Sequence, residues 1–145
     1  MKEDLKLLEN IYQNAQMGIV GIDNILDDIT DKKLKKAIQE QRNDYHDIAL
    51  KITKYLEQLH HQPEEISSIA KIMTYIDAKV STMTNKKASN YAMMMIKGNN
   101  KGITEIKEKI NDYEGSNKEV IKLAKELLRI ENKNLNQLKK FLNRN

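Results

Sequence analysis

Four long segments of the chain carry apolar residues at alternating spacings of three and four, the pattern that lines one face of an α-helix. In the last two of these segments the stripe is broken near its centre by polar residues. The break is Asn99 in one, and Glu131 with Asn134 in the other. Amphipathic helices bury their stripes against one another, so these positions are expected to meet as a polar layer inside a bundle.

The first stripe is Leu5, Leu8, Tyr12, Ala15, Ile19, Ile22, Leu26 and Ile29, and predicts a helix from about Asp4 to Ile29. Gly18 and Gly21 lie beside it. A glycine costs about 1 kcal/mol in a helix interior, and close approach of a neighbouring helix would offset that. Thr30-Asp31 reads as a turn and N-cap. A second helix then starts at about Lys32, with Leu34, Ile38, Gln41, Tyr45, Ile48, Ile52, Tyr55 and Leu59 on its seam. So short a connection makes the pair an antiparallel hairpin.

Pro63 with Glu64 and Glu65 opens a shorter helical segment, running to about Thr84 with Ile66, Ile69, Met73, Ile76, Val80 and Met83 on one face. A third long helix, about Lys87 to Tyr113, carries Ala92, Ile96, Asn99, Ile103, Ile106, Ile110 and Tyr113 on one face. Gly115 reads as its stop, and Ser116 or Asn117 as the next cap. The last helix carries Val120, Ala124, Leu127, Glu131, Asn134, Leu138 and Phe141. With Pro 1 and Gly 5, the punctuation suits long helices and argues against a strand-rich fold. The expectation is one all-α domain over residues 1–145.

Cys 0 excludes disulfides, thiolate metal sites and cysteine nucleophiles. No apolar run approaches the ~20 residues of a membrane span, and no secretory pattern opens the chain. A soluble, cytoplasmic protein is expected, with no membrane partner. The net charge of +4 comes from lysines interleaved with acids. The densest groups, Lys32, Lys33, Lys35 and Lys36, and Lys139, Lys140 and Arg144, read as solvated faces and helix ends. Without a phosphate cradle, an aromatic platform or zinc-ligand spacing, nucleic acid is not the expected partner.

Other chemistry-bearing residues read the same way. His60-His61 is taken as a surface loop pair. Of Met93-Met94-Met95, one side chain is expected in the core and the others at a helix or subunit contact. Tyr12, Tyr45 and Tyr55 read as core tyrosines with hydroxyl partners. Ser67, Ser68 and Ser81 have no His–Asp arrangement around them, so no catalytic residue is assigned.

Two long helices, a shorter one, then a second long pair is the order of a bundle with one long crossover. In that order the chain resembles the ferritin-like superfamily, particularly a bacterial branch of uncharacterised four-helix proteins. The motifs are Leu59-His60-His61-Gln62-Pro63-Glu64 closing the first hairpin and Gly98-Asn99 within the third long helix. The resemblance implies a ferritin-like four-helix bundle whose metal layer is a Glu from each of two helices and Glu-x-x-His from each of the others. Carried over residue by residue, the slots fall at Ala15 or Gln16, at Tyr45 and Ile48 with His46 and Asn43 nearby, at Asn99, and at Glu131 with Asn134. Glu131 alone is a carboxylate on the seam, and amides are weak ligands for hard cations.

The expected site is therefore a hydrogen-bonded layer of Gln16, Gln41, Asn99, Glu131 and Asn134, without metal or cofactor; a metal, if held, would use Glu131 and His46. The function that follows is a non-catalytic bundle acting by self-association, as a homodimer, or by partner binding. Lys, Ile and Asn richness suggests a low-GC bacterium, and with it a stress, dormancy or spore-related setting. A ferritin-like oxidase or iron-storage protein, and a basic nucleic-acid-binding helical protein, are the alternatives.

Overall fold

A computed structural model describes residues 2–64, 69–83 and 85–143 of the chain. Over these it is all-α, without strands. The helices are α1 Lys2–Ile25, α2 Lys32–Gln58, α3 Ile69–Ser81, α4 Ala88–Asp112 and α5 Lys118–Lys139. A 3-10 turn, Leu26–Asp28, closes α1 four residues before the expected end at Ile29. The expected stripe residue Ile66, the Ser67-Ser68 pair, Thr84 and Arg144 lie outside the described residues.

The helix ends follow local chemistry. Asp31 caps α2, accepting from Lys33 N and Leu34 N at 2.9 and 3.0 Å. At the other end of α2, His60 takes a left-handed backbone (φ 56°). His60 N and His61 N donate back to Glu57 O and Leu56 O, both at 2.9 Å, which closes the helix as a Schellman turn. Gly115 does not play the same part after α4. The chain leaves through an extended Tyr113 (φ −70°, ψ 119°), and no glycine has positive φ. Gly115 serves instead as space, because a Cβ there would run into the Tyr113 ring.

Asn117 caps α5, its side chain accepting from Glu119 N and Val120 N. The same amide donates to Tyr55 Oη at 2.8 Å, tying the start of α5 to the end of α2. Asn117→Ala should lower stability by about 2 kcal/mol in urea denaturation, from a lost cap and a lost hydrogen bond. Asn117→Asp, which keeps the cap and loses the donor, should recover about half. Equal losses in the two variants would mean that the cap contributes nothing.

Cross-helix bonds set the register. Along α2 and α5 the pairs are Gln41–Gln137, Asp44–Lys133, Lys51–Glu126 and Tyr55–Asn117, so the helices are antiparallel. Arg42 of α2 reaches Asp23 of α1 with two N–H groups, at 2.5 and 3.1 Å. Asp4 and Asn14 of α1 meet Tyr113 and the Gly102 carbonyl at the α4 side, again antiparallel. Gln13 donates to Glu64 O and Asn24, further along α1, to Asp77 of α3, so α3 lies along α1 in the same direction. Exposed ion pairs of this kind are worth under about 1 kcal/mol each, so they mark register rather than supply stability.

Stability comes from the apolar interior. Leu8, Ile38, Ile48, Ile52, Leu56, Leu127 and Leu138 are among its fully buried members. On α4 and α5 the buried residues follow the heptad stripes closely, and on α2 they do so as far as Ile52, after which Leu56 is buried while the expected Tyr55 and Leu59 are half-buried. On α1 they do not: Leu5, Tyr12 and Leu26 are half-buried, while Leu7 and Ile11 are buried. The reason is that α1 packs against α2, α3, α4 and α5, so more than one stripe of its surface is covered.

Candidate functional site

The two polar breaks meet. Asn99 of α4 donates through Nδ2 to Glu131 Oε2 of α5 at 2.7 Å and to Tyr45 Oη of α2 at 3.3 Å. Their exposures are 6%, 3% and 4%, so little of the group's surface is open to water. Burial pushes the Glu131 carboxyl up to about 7, while hydrogen bonds from Tyr45 and Asn99 hold it below what burial alone would give. Burial, and next the nearby Glu131 charge, push the Tyr45 hydroxyl well above its ordinary range.

Asn134 is fully buried one helical turn beyond Glu131. It lies close enough to Tyr45 to act on its hydroxyl, yet neither of its amide atoms reaches hydrogen-bond geometry with a described residue. Such a group costs about 1–3 kcal/mol. Gln41 is buried but belongs to a separate pair, donating to Gln137 Oε1 at 2.8 Å. Gln16 is only half-buried, because Ala15 takes the interior direction and its neighbour is turned about 100° around the helix. His46 and Asn43 are exposed.

Two glycines make this packing geometrically feasible. A Cβ on Gly18 would lie 2.7–2.8 Å from the Tyr45 ring, and one on Gly102 would lie 3.3 Å from Glu131 Oε2. Asn14 donates to the Gly102 carbonyl at 3.3 Å and closes that side. The heptad reading missed Asn14 and Gly102. The spacing of Gly98 and Gly102, one turn apart and opposite the Gly18–Gly21 pair, was the signal available for them.

Beside the layer lies a cavity of about 550 Å³. All four of those helical glycines line it, so α1 and α4 face each other there without side chains to fill the gap. Its apolar walls include Met17, Ile22, Ile25, Ile76, Met94 and Met95. The buried Gln41, Tyr45, Asn99 and Glu131 form a polar floor. At the open side stand the exposed Lys71, Lys97 and Lys101 and the half-buried Glu105. Among the described residues no three His, Asp or Glu side chains are grouped closely enough to hold a metal ion. No helix among them is long and apolar enough to cross a membrane.

Residues 3–112 match the family described as a domain of unknown function, DUF2383, and the chain belongs to that family. The matched span carries α1 to α4 and so includes Asn14, Gly18, Tyr45, Asn99 and Gly102. Glu131 and Asn134 stand beyond it. No curated protein and no solved structure matches the chain.

Proposed function

We propose that this chain is a non-catalytic ferritin-like four-helix bundle that acts in the cytoplasm by association, as a homodimer. The helix arrangement supports the first part. The pairs α1–α2 and α4–α5 pack side by side, α1 meets α4, α2 meets α5, and α3 returns the chain along α1 as a crossover. The residues at the level where such bundles hold two cations do not fit that use. Tyr45 and Asn99 meet a single carboxylate, Glu131, which cannot balance two divalent ions.

The observation that carries association is an apolar surface on the crossover side. Met73 and Tyr75 of α3 are 41% and 56% exposed, and Met93 of α4 is 46% exposed. Tyr75 and Met93 share a shallow groove with Met83 and Met94, bordered by the polar Lys79, Thr82, Asn85, Asn90 and Lys97. Large apolar groups gathered on one face mark contacts more often than chance exposure does, and a twofold pair is the commonest closed assembly. Within the methionine run it is Met93 that faces out, while Met94 and Met95 pack against the core.

Sedimentation velocity at micromolar concentration should therefore give a mass near twice the 16.9 kDa of one chain. Met93→Glu should return it to one chain with helicity intact. A wild-type mass of one chain rejects the dimer.

A further inference from the structure

The cavity offers chemistry that an association surface does not need. Its floor presents two amide oxygens and a carboxylate as hydrogen-bond acceptors. Asn99 directs its N–H groups to Glu131 and Tyr45, and Gln41 directs its own to Gln137. No described residue donates to the amide oxygen of either one. Glu131 adds a carboxylate at 3% exposure. The open side has the opposite character, with three lysines against one glutamate. Between the two ends the walls are methionine and isoleucine.

We propose that this cavity binds a small aliphatic zwitterion, an ω-amino carboxylate. Its ammonium group rests on Glu131, Asn99 and Gln41, and its carboxylate reaches Lys71, Lys97 and Lys101. An ammonium group has three donors and no acceptor, which suits a floor that presents acceptors. An anion at the floor would face a carboxylate and two amide oxygens, and a purely apolar molecule would leave them all unmet in a dry site. The methylene spacer matches the apolar walls. The volume lies within the range of roughly 300–1,000 Å³ in which small-molecule sites fall.

Seating a cation beside Glu131 also favours its charged form, so binding releases a proton wherever that carboxyl is protonated beforehand. Tyr45 from α2 is the titratable group within the layer, and Lys71 and Tyr75 from α3 with Lys97, Lys101 and Glu105 from α4 line the same cavity. The α1 wall, from Asn14 to Ile25, adds no titratable side chain.

Titration calorimetry of the full chain with ε-aminocaproate, hexylamine and hexanoate tests this. ε-Aminocaproate should bind one per chain, about tenfold tighter than hexylamine and more tightly still than hexanoate. At about pH 6, heats in buffers of different ionisation enthalpy should show close to one proton released per ligand, and at about pH 8.5 none. Glu131→Gln should weaken binding about tenfold and abolish the release. The double change Lys97→Ala and Lys101→Ala should weaken ε-aminocaproate and leave hexylamine unaltered, a readout that loss of folding could not produce. No saturable heat with ε-aminocaproate at millimolar concentration, or hexanoate binding as tightly, overturns the proposal. So does proton release that persists in Glu131→Gln.

Discussion

Glu131→Gln is expected to leave stability unchanged near pH 4.5 and to raise it by about 3 kcal/mol at pH 8, a reversal of the usual cost of altering a buried group. Below its ordinary value of 4.5, the carboxyl carries its proton in both folded and unfolded chains, and burial costs nothing for the charge. Between 4.5 and about 7 the unfolded chain gives up that proton while the folded chain keeps it. The folded state then binds more protons, so stability falls as pH rises. Above about 7 the folded chain holds a buried carboxylate, and the full penalty is present. Glutamine keeps the shape and a carbonyl for Asn99 Nδ2, now 2.7 Å from Oε2, and never ionises. Urea denaturation of both proteins at several pH values reads the difference directly. A variant less stable than wild type at pH 8 would mean that the carboxylate is stabilised in the layer and that its pKa is not raised.

The inward direction of Asn99, Glu131 and Asn134 was legible in the sequence because they occupy heptad positions, whereas the separate pairing of Gln41 with Gln137 was not. Asn99, Glu131 and Asn134 fall where the stripes of α4 and α5 require an inward side chain, and helix geometry leaves them no other direction. Gln16 shows the limit of a slot assigned by resemblance alone, since one residue's offset on a helix is enough to leave the interior. The wide buried face of α1 was not legible either. A stripe records a helix's packing against two neighbours, and α1 has four. Gly115 misled because glycine after a helix usually takes a left-handed backbone, whereas here its lack of a side chain makes room for the Tyr113 ring. The cavity left the faintest trace, because it is made by what four glycines omit.

Gly18→Ala is expected to destabilise the protein by about 2 kcal/mol net, although alanine is the better helix former by about 1 kcal/mol. The added Cβ would stand 2.7 Å from Tyr45 Cε2 and 2.8 Å from Cδ2 and Cζ, closer than carbon atoms pack. A free ring would swing aside at little cost. Tyr45 is held in place by its hydroxyl, which accepts from Asn99 in the layer. Relieving the clash therefore means overpacking α1 against α2, at about 1–3 kcal/mol, or pulling the hydroxyl out of the layer at a similar cost. Gly98→Ala supplies the control. Its Cβ would meet nothing within 4 Å, so it should be neutral or stabilising by up to about 1 kcal/mol. Tyr45→Leu should rescue much of the Gly18→Ala loss, since the two changes act through one contact and cannot be additive. Additive losses in the double variant would show that Gly18 is needed for its backbone and not for the tyrosine it faces.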